Sequence, residues 1–204
     1  MSITTYSELQ TAIINWSSRA DLASIVPDFI TLAEAKFNRL LRTRNMEAVA
    51  TITPSAGVGA LPTDFLEFRR VYINSATVVE LEYLNPETFY LKFPKVAVEI
   101  ADTSRYFTIE AGNIILSNLT TDTDLSVLYY QKIPALTVSN TTNWLLTSHP
   151  DLYLYASMIE LGDYIQDDNM VAKWTSKATA ILNDLTMSDM MGKYSGSAMR
   201  VIAS

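Results

Sequence analysis

The hydrophobic spacing of this chain changes twice. Over residues 1–47 apolar side chains recur at steps of three and four. Residues 48–146 are dense in Thr, Val, Ile, Tyr and Phe and hold five of the seven prolines, and from 147 to 191 the helical spacing returns. A helix needs a period near 3.6 and a strand a period of 2, so a chain that switches between them cannot settle into one class of element. The expected fold class is α+β. An antiparallel helical bundle of about four helices forms from the two end segments, with a small antiparallel β-sandwich or barrel inserted. The segments are 1–47 and 147–191 for the bundle, 48–146 for the β insert, and 192–204 as an extended C-terminal tail.

Local chemistry places the elements. Thr5 followed three residues later by Glu8 is a capping box, and Tyr6, Leu9, Ile13 and Trp16 form one apolar stripe behind it. Pro27 suits the first turn of a second helix, whose core face is Ile30, Ala33, Phe37, Leu40 and Leu41. In the middle block, Phe68 to Ile73 and Val78 to Tyr83 read as strands joined through Asn74-Ser75. Tyr106 to Glu110 and Ile114 to Ser117 flank Ala111-Gly112-Asn113, where Gly and Asn tolerate a hairpin turn. Leu125 to Ile133 is a further strand, and Pro86 to Phe93 a helical turn. A third helix starts at Ser148-His149-Pro150-Asp151 with Ser148 as its N-cap. It carries two stripes, Leu154, Met158, Leu161, Ile165 and Leu152, Tyr155, Ile159. One core demands one stripe, so two mean burial on two sides. A fourth helix repeats Val171, Trp174, Ala178, Ile181 and Leu185.

Composition narrows the chemistry. The chain has 204 residues, no Cys, one His and a formal net charge of −7. Disulfides, thiolate metal sites and a Cys nucleophile are excluded, and a Ser–His triad has only His149 to use. An acidic balance argues against a surface that coats nucleic acid. No apolar run reaches the ~20 residues of a membrane span, and MSITTYSELQ lacks the basic start of a signal peptide. Glu80 and Glu82 are two strand steps apart, about 6.8 Å, a separation compatible with an acid/base pair across a glycosidic bond. The same alternation also describes any exposed strand face. Arg39, Arg42, Arg44, Arg69 and Arg70 are the local cation concentrations; they can meet phosphate, or pair with Glu34, Glu47 and Glu67. No phosphate-binding glycine loop or nucleophile elbow is present, and no cofactor or metal is expected. The tail scatters Tyr194, Met199, Arg200, Val201 and Ile202 among small residues, a composition that suits docking by an ordering segment.

Several stretches, taken in order, resemble tailed-bacteriophage head-to-tail adaptor (connector) proteins, the family of the tail tubular protein A and the tail accessory factor of short-tailed phages. They are YSELQTAIINW (6–16), DFITLAEAKFNRLLRTRNMEA (28–48), LPTDFLEFRRV (61–71), LEYLNPETF (81–89), RYFTIEAGNIIL (105–116), YYQKIPAL (129–136) and TNWLLTSHPDLYLYASMIELGDYIQDD (142–168). The resemblance implies a non-enzymatic virion protein at the head–tail junction, assembled in the bacterial cytoplasm as a ring, usually dodecameric. Its partners are further copies of itself, the portal protein and a tail or nozzle protein. DNA passes through its channel without sequence-specific binding. The helical part faces the portal and the β part the tail, and the C-terminal residues Tyr194, Met199, Arg200, Val201 and Ile202 are the portal-docking candidates. The two-striped third helix supplies the subunit-interface candidates. Two other readings stay open at this stage, a peptidoglycan-degrading tail hydrolase built on Glu80 and Glu82 and a tail or host binding module that forms no ring.

Overall fold

In the computed structural model, which describes residues 2–73, 78–94, 106–117 and 124–194, the chain is α+β. Two helices open it, α1 (Tyr6–Ser17) and α2 (Val26–Leu40). Strands β1 (Glu47–Ile52), β2 (Val58–Ala60), β3 (Phe65–Ile73), β4 (Val79–Glu80) and β5 (Glu82–Tyr83) follow, then a short helix α3 (Pro86–Lys92). Strands β6 (Tyr106–Glu110), β7 (Asn113–Leu116) and β8 (Leu125–Gln131) precede the last three helices, α4 (Trp144–Ser148), α5 (Pro150–Tyr164) and α6 (Asp168–Tyr194). The chain divides into two compact units, one of Met1–Asn45 with Ile133–Ser204, the other of Met46–Lys132.

The helical unit starts at its capping box. The Glu8 N–H donates to Thr5 Oγ1 at 3.3 Å and the Thr5 N–H donates back to Glu8 Oε2 at 3.1 Å, so two orphan donors of the first turn are satisfied. Thr5→Ala is expected to lower stability by about 1 kcal/mol, read as a shift in the urea midpoint with an unchanged slope. In α2, Ile30, Ala33 and Phe37 are buried as their spacing predicts, but Leu40 is 65% exposed. The helix stops there and Leu41 turns extended (φ −91°, ψ 137°), which swings Leu41 into the core in its place. Ser148 does not cap α5. The chain is already helical from Trp144, because Asn143 caps α4 through the Leu146 N–H at 2.9 Å and lets Leu145 and Leu146 bury. His149 stands between α4 and α5, and Pro150 opens α5.

Residues 133–146 read compositionally as β, yet they belong to the helical unit. Buried polar groups tie them there. Asn38 Oδ1 accepts the Ile133 N–H at 2.9 Å. Glu34 Oε1 accepts the Leu136 N–H at 2.8 Å and the Tyr153 hydroxyl at 3.1 Å. Asn143 donates from Nδ2 to Tyr153 Oη at 2.7 Å and to the Pro134 carbonyl at 2.8 Å.

The β unit holds two four-stranded sheets, ordered β1-β8-β3-β4 and β2-β7-β6-β5. One cluster including Ile52, Val71, Phe107, Ile114, Leu125 and Val127 draws on both sheets, which therefore share a core. The hairpin at Ala111-Gly112 forms, with φ of 48° and 75°, and pairs β6 with β7. A second such turn sits at Ala56-Gly57 (φ 49° and 74°). Two successive positive φ values match the right-handed twist of the strands they join. β3 and β4 pair antiparallel, while the predicted Asn74-Ser75 turn lies outside the described residues. The expectation of an all-antiparallel insert fails at one place, where β5 runs parallel to β6. Parallel neighbours need a crossover, and α3, which packs on β6, lies between them in the chain.

Candidate assembly interface

Helix α5 runs through the helical unit with neighbours on several sides, packing against α1, α2, α4 and α6. That is why it carries two apolar stripes. Leu152, Leu154, Met158 and Leu161 are 0%, 2%, 1% and 0% exposed, covered by helices of the same chain. Of the stripe residues only Tyr155, Ile159 and Ile165, the last at the C-cap, are half-buried, so the stripes themselves offer little to a neighbour; Tyr164, on neither stripe, is 55% exposed. Tyr155 is itself engaged, stacked on Trp174 at 5.2 Å with Trp16 tilted against both. At the turn into α6, a side chain at Gly162 would meet Val171 Cγ2 at 3.1 Å, so glycine there permits the close approach of the two helices.

The uncovered apolar surface lies beside α5. Leu40 of α2, Ile159 of α5 and Leu182 of α6 rim a groove of about 180 Å³ floored by Phe37, Leu152 and Ala178. Leu32, another α2 residue, is 50% exposed. A second apolar patch is carried by the end of α6, where Met187, Met190 and Met191 are 57%, 54% and 68% exposed. The repeat read for the fourth helix ends at Leu185 and leaves these methionines unassigned. Their helical spacing, 187 to 191 and 187 to 190, was the available signal. The helix continues to Tyr194 because Arg44 holds it. The Arg44 backbone N–H donates to Asp189 Oδ1 at 2.9 Å, and its guanidinium donates to Asp189 and to the Gly192 carbonyl at 3.3 and 3.0 Å. The Tyr194 side chain and Met199, Arg200, Val201 and Ile202 lie outside the described residues.

The family model described as SU10 adaptor protein matches residues 4–201. The chain belongs to this family. It is thus a structural adaptor of a bacteriophage and a component of the virion. No curated protein matches it.

In this adaptor several of the candidate charged groups are engaged in contacts within the chain. Glu80 and Glu82 do not share a strand face. The strand breaks at Leu81, leaving Glu80 on β4 of one sheet and Glu82 on β5 of the other. Both Glu80 oxygens are taken by Arg70, at 3.0 and 3.2 Å. Arg69 pairs with Glu47, and Arg42 donates to the Asn38 and Leu41 carbonyls. His149 lines a cleft of about 400 Å³ with Thr43, Trp144 and Ser188. Among the described residues no group of three His, Asp or Glu is placed to hold a metal, and no helix is long and apolar enough to cross a membrane. Glu34, 5% exposed, sits inside α2's apolar face; burial pushes its carboxyl above the ordinary range, opposed by the bonds from Leu136 and Tyr153. Burial and the Glu34 charge likewise drive the Tyr153 phenol upward.

Proposed function

We propose that copies of this adaptor close into a ring of twelve between the portal and the tail, extending the channel through which the genome leaves. The helical unit faces the portal, the β unit faces the tail or nozzle protein, and Tyr194, Met199, Arg200, Val201 and Ile202 dock on the portal. The observation that carries the reading is the pairing of family membership with two separate apolar patches on the helical unit, at Leu32 and Leu40 and at Met187, Met190 and Met191. Unlike patches on one molecule suit a head-to-tail contact, the kind that closes into rings. The charge distribution supports free passage of DNA. Net charge is −7, and Arg44, Arg69 and Arg70, from the two local arginine concentrations, are engaged by carboxylates, which offsets those concentrations as counterion-releasing contacts to phosphate.

Measuring the mass of the complex formed with the portal tests the ring; a single copy bound per portal overturns it. The docking segment has its own test. Deleting residues 195–204 keeps every described helix and is expected to weaken portal binding about tenfold or more, the equivalent of roughly 1.4 kcal/mol. Unchanged binding by the shortened chain refutes a docking role for that segment.

A further inference from the structure

We propose that the groove rimmed by Leu40 of one copy receives the methionine face at the end of α6 of the next copy, with Asp184 of the second set against Arg39 of the first. This rests on the ring reading and names its seam. The methionine face of α6 cannot fill the groove of its own copy. Ala178 and Leu182 of α6 form one of its walls, and Met187 is further along the same helix, fixed at ~1.5 Å per residue beyond it. A neighbouring copy can bring its own α6 end to the groove, a filler of matching character. Unbranched, polarizable methionine side chains fit irregular apolar gaps.

Charge decides the pairing. Lys36 at the groove's edge is held by Glu160 of its own chain. Arg39, one residue before Leu40, is exposed and has no ion-pair partner among the described residues. On α6, Asp184 precedes Met187 by three and Met191 by seven, so all three share a helix face. Asp184 is likewise exposed and unpaired among the described residues. A free cation beside one apolar patch and a free carboxylate beside the other give a seam between unlike surfaces, and docking like on like would set cation against cation.

The chain has no cysteine, so crosslinking reports the seam directly. Leu40→Cys and Met187→Cys, both at exposed positions, are combined in one full-length chain, assembled into phage particles and treated with a short bis-maleimide. A ladder of covalent multimers is expected, with neither single variant giving dimers. Dimers from Leu40→Cys alone place two grooves together and overturn the seam. Multimeric adaptor in the particles with no ladder also overturns it while leaving the ring reading intact, whereas adaptor present as single copies overturns both. As a second measurement, Arg39→Asp and Asp184→Arg are each expected to lower incorporation into particles about tenfold, and their combination to restore it. Failure of the combined variant to recover, with each chain folded by circular dichroism, removes the ion pair from the seam.

Discussion

Met158→Asp is expected to abolish cooperative folding of the helical unit, whereas Ile159→Asp, its immediate neighbour, leaves that unit folded. Met158 is 1% exposed, against α1 and α6 surfaces that include the groove beside Trp16 and Trp174. Replacing it loses about 2–5 kcal/mol of packing, and burying the carboxylate costs more, even with Lys173 on the wall of the same pocket. Together these rival the roughly 5–15 kcal/mol by which a domain is stable. Ile159 is only half-buried, at the rim of the Leu40 groove. An Asp there reaches water, and its cost is about 1–2 kcal/mol of lost burial and helix propensity. Circular dichroism at 222 nm during thermal melting separates the two. A native-like melt for Met158→Asp shows that this stripe is not core. Collapse of Ile159→Asp puts the groove inside the fold and removes it as a surface. If it folds but fails to enter particles, the loss belongs to assembly alone.

The contrast between these neighbours also marks where sequence reading stops. The double stripe on α5 correctly required burial on two sides, because no single core accounts for Leu154, Met158 and Leu161 together with Leu152. Which molecule does the burying is a matter of tertiary arrangement, and α2 and α6 of the same chain take most of it. Thr5-x-x-Glu8 and Ala111-Gly112 were legible because their chemistry is local, a cap and a turn that need nothing distant. Glu80 and Glu82 misled for the converse reason. Alternation along a strand looks the same whether the strand stays in one sheet or crosses between two, and the break at Leu81 is created by two different partners, the neighbouring β3 for Glu80 and the more distant β6 for Glu82. Leu40 and Leu41 could not be told apart by spacing, since the helix end that separates them depends on one backbone angle. Glu34 left a trace that could be read. It lies three residues before Phe37 and four after Ile30, so a carboxylate sits in the middle of an apolar face, and such a residue is either solvated by distortion or paired in the core.

That carboxylate sets the second large effect. Glu34→Ala is expected to cost about 2–5 kcal/mol, since it strands the Leu136 N–H and the Tyr153 hydroxyl, each orphaned donor costing about 1–3 kcal/mol. The Asn143–Tyr153 link survives but loses its acceptor at the far end. Glu34→Gln separates charge from geometry, because its amide oxygen can still accept both bonds. The groups that feel this carboxyl are Tyr153 of α5 and Tyr6 of α1, whose own pKa values it raises. Desolvation is the largest influence on Glu34 and raises its pKa in the folded state above the ordinary 4.5. The folded form then binds a proton more tightly than the unfolded chain does, so this group's stabilising contribution is complete below about pH 4.5 and declines as pH climbs through the raised value. Urea midpoints measured from pH 4 to pH 8 should fall less steeply for Glu34→Gln than for the native chain, with the variant gaining ground at neutral pH. Equal slopes for the two chains show that Glu34 keeps its charge in the folded state, and that its two hydrogen bonds outweigh its burial.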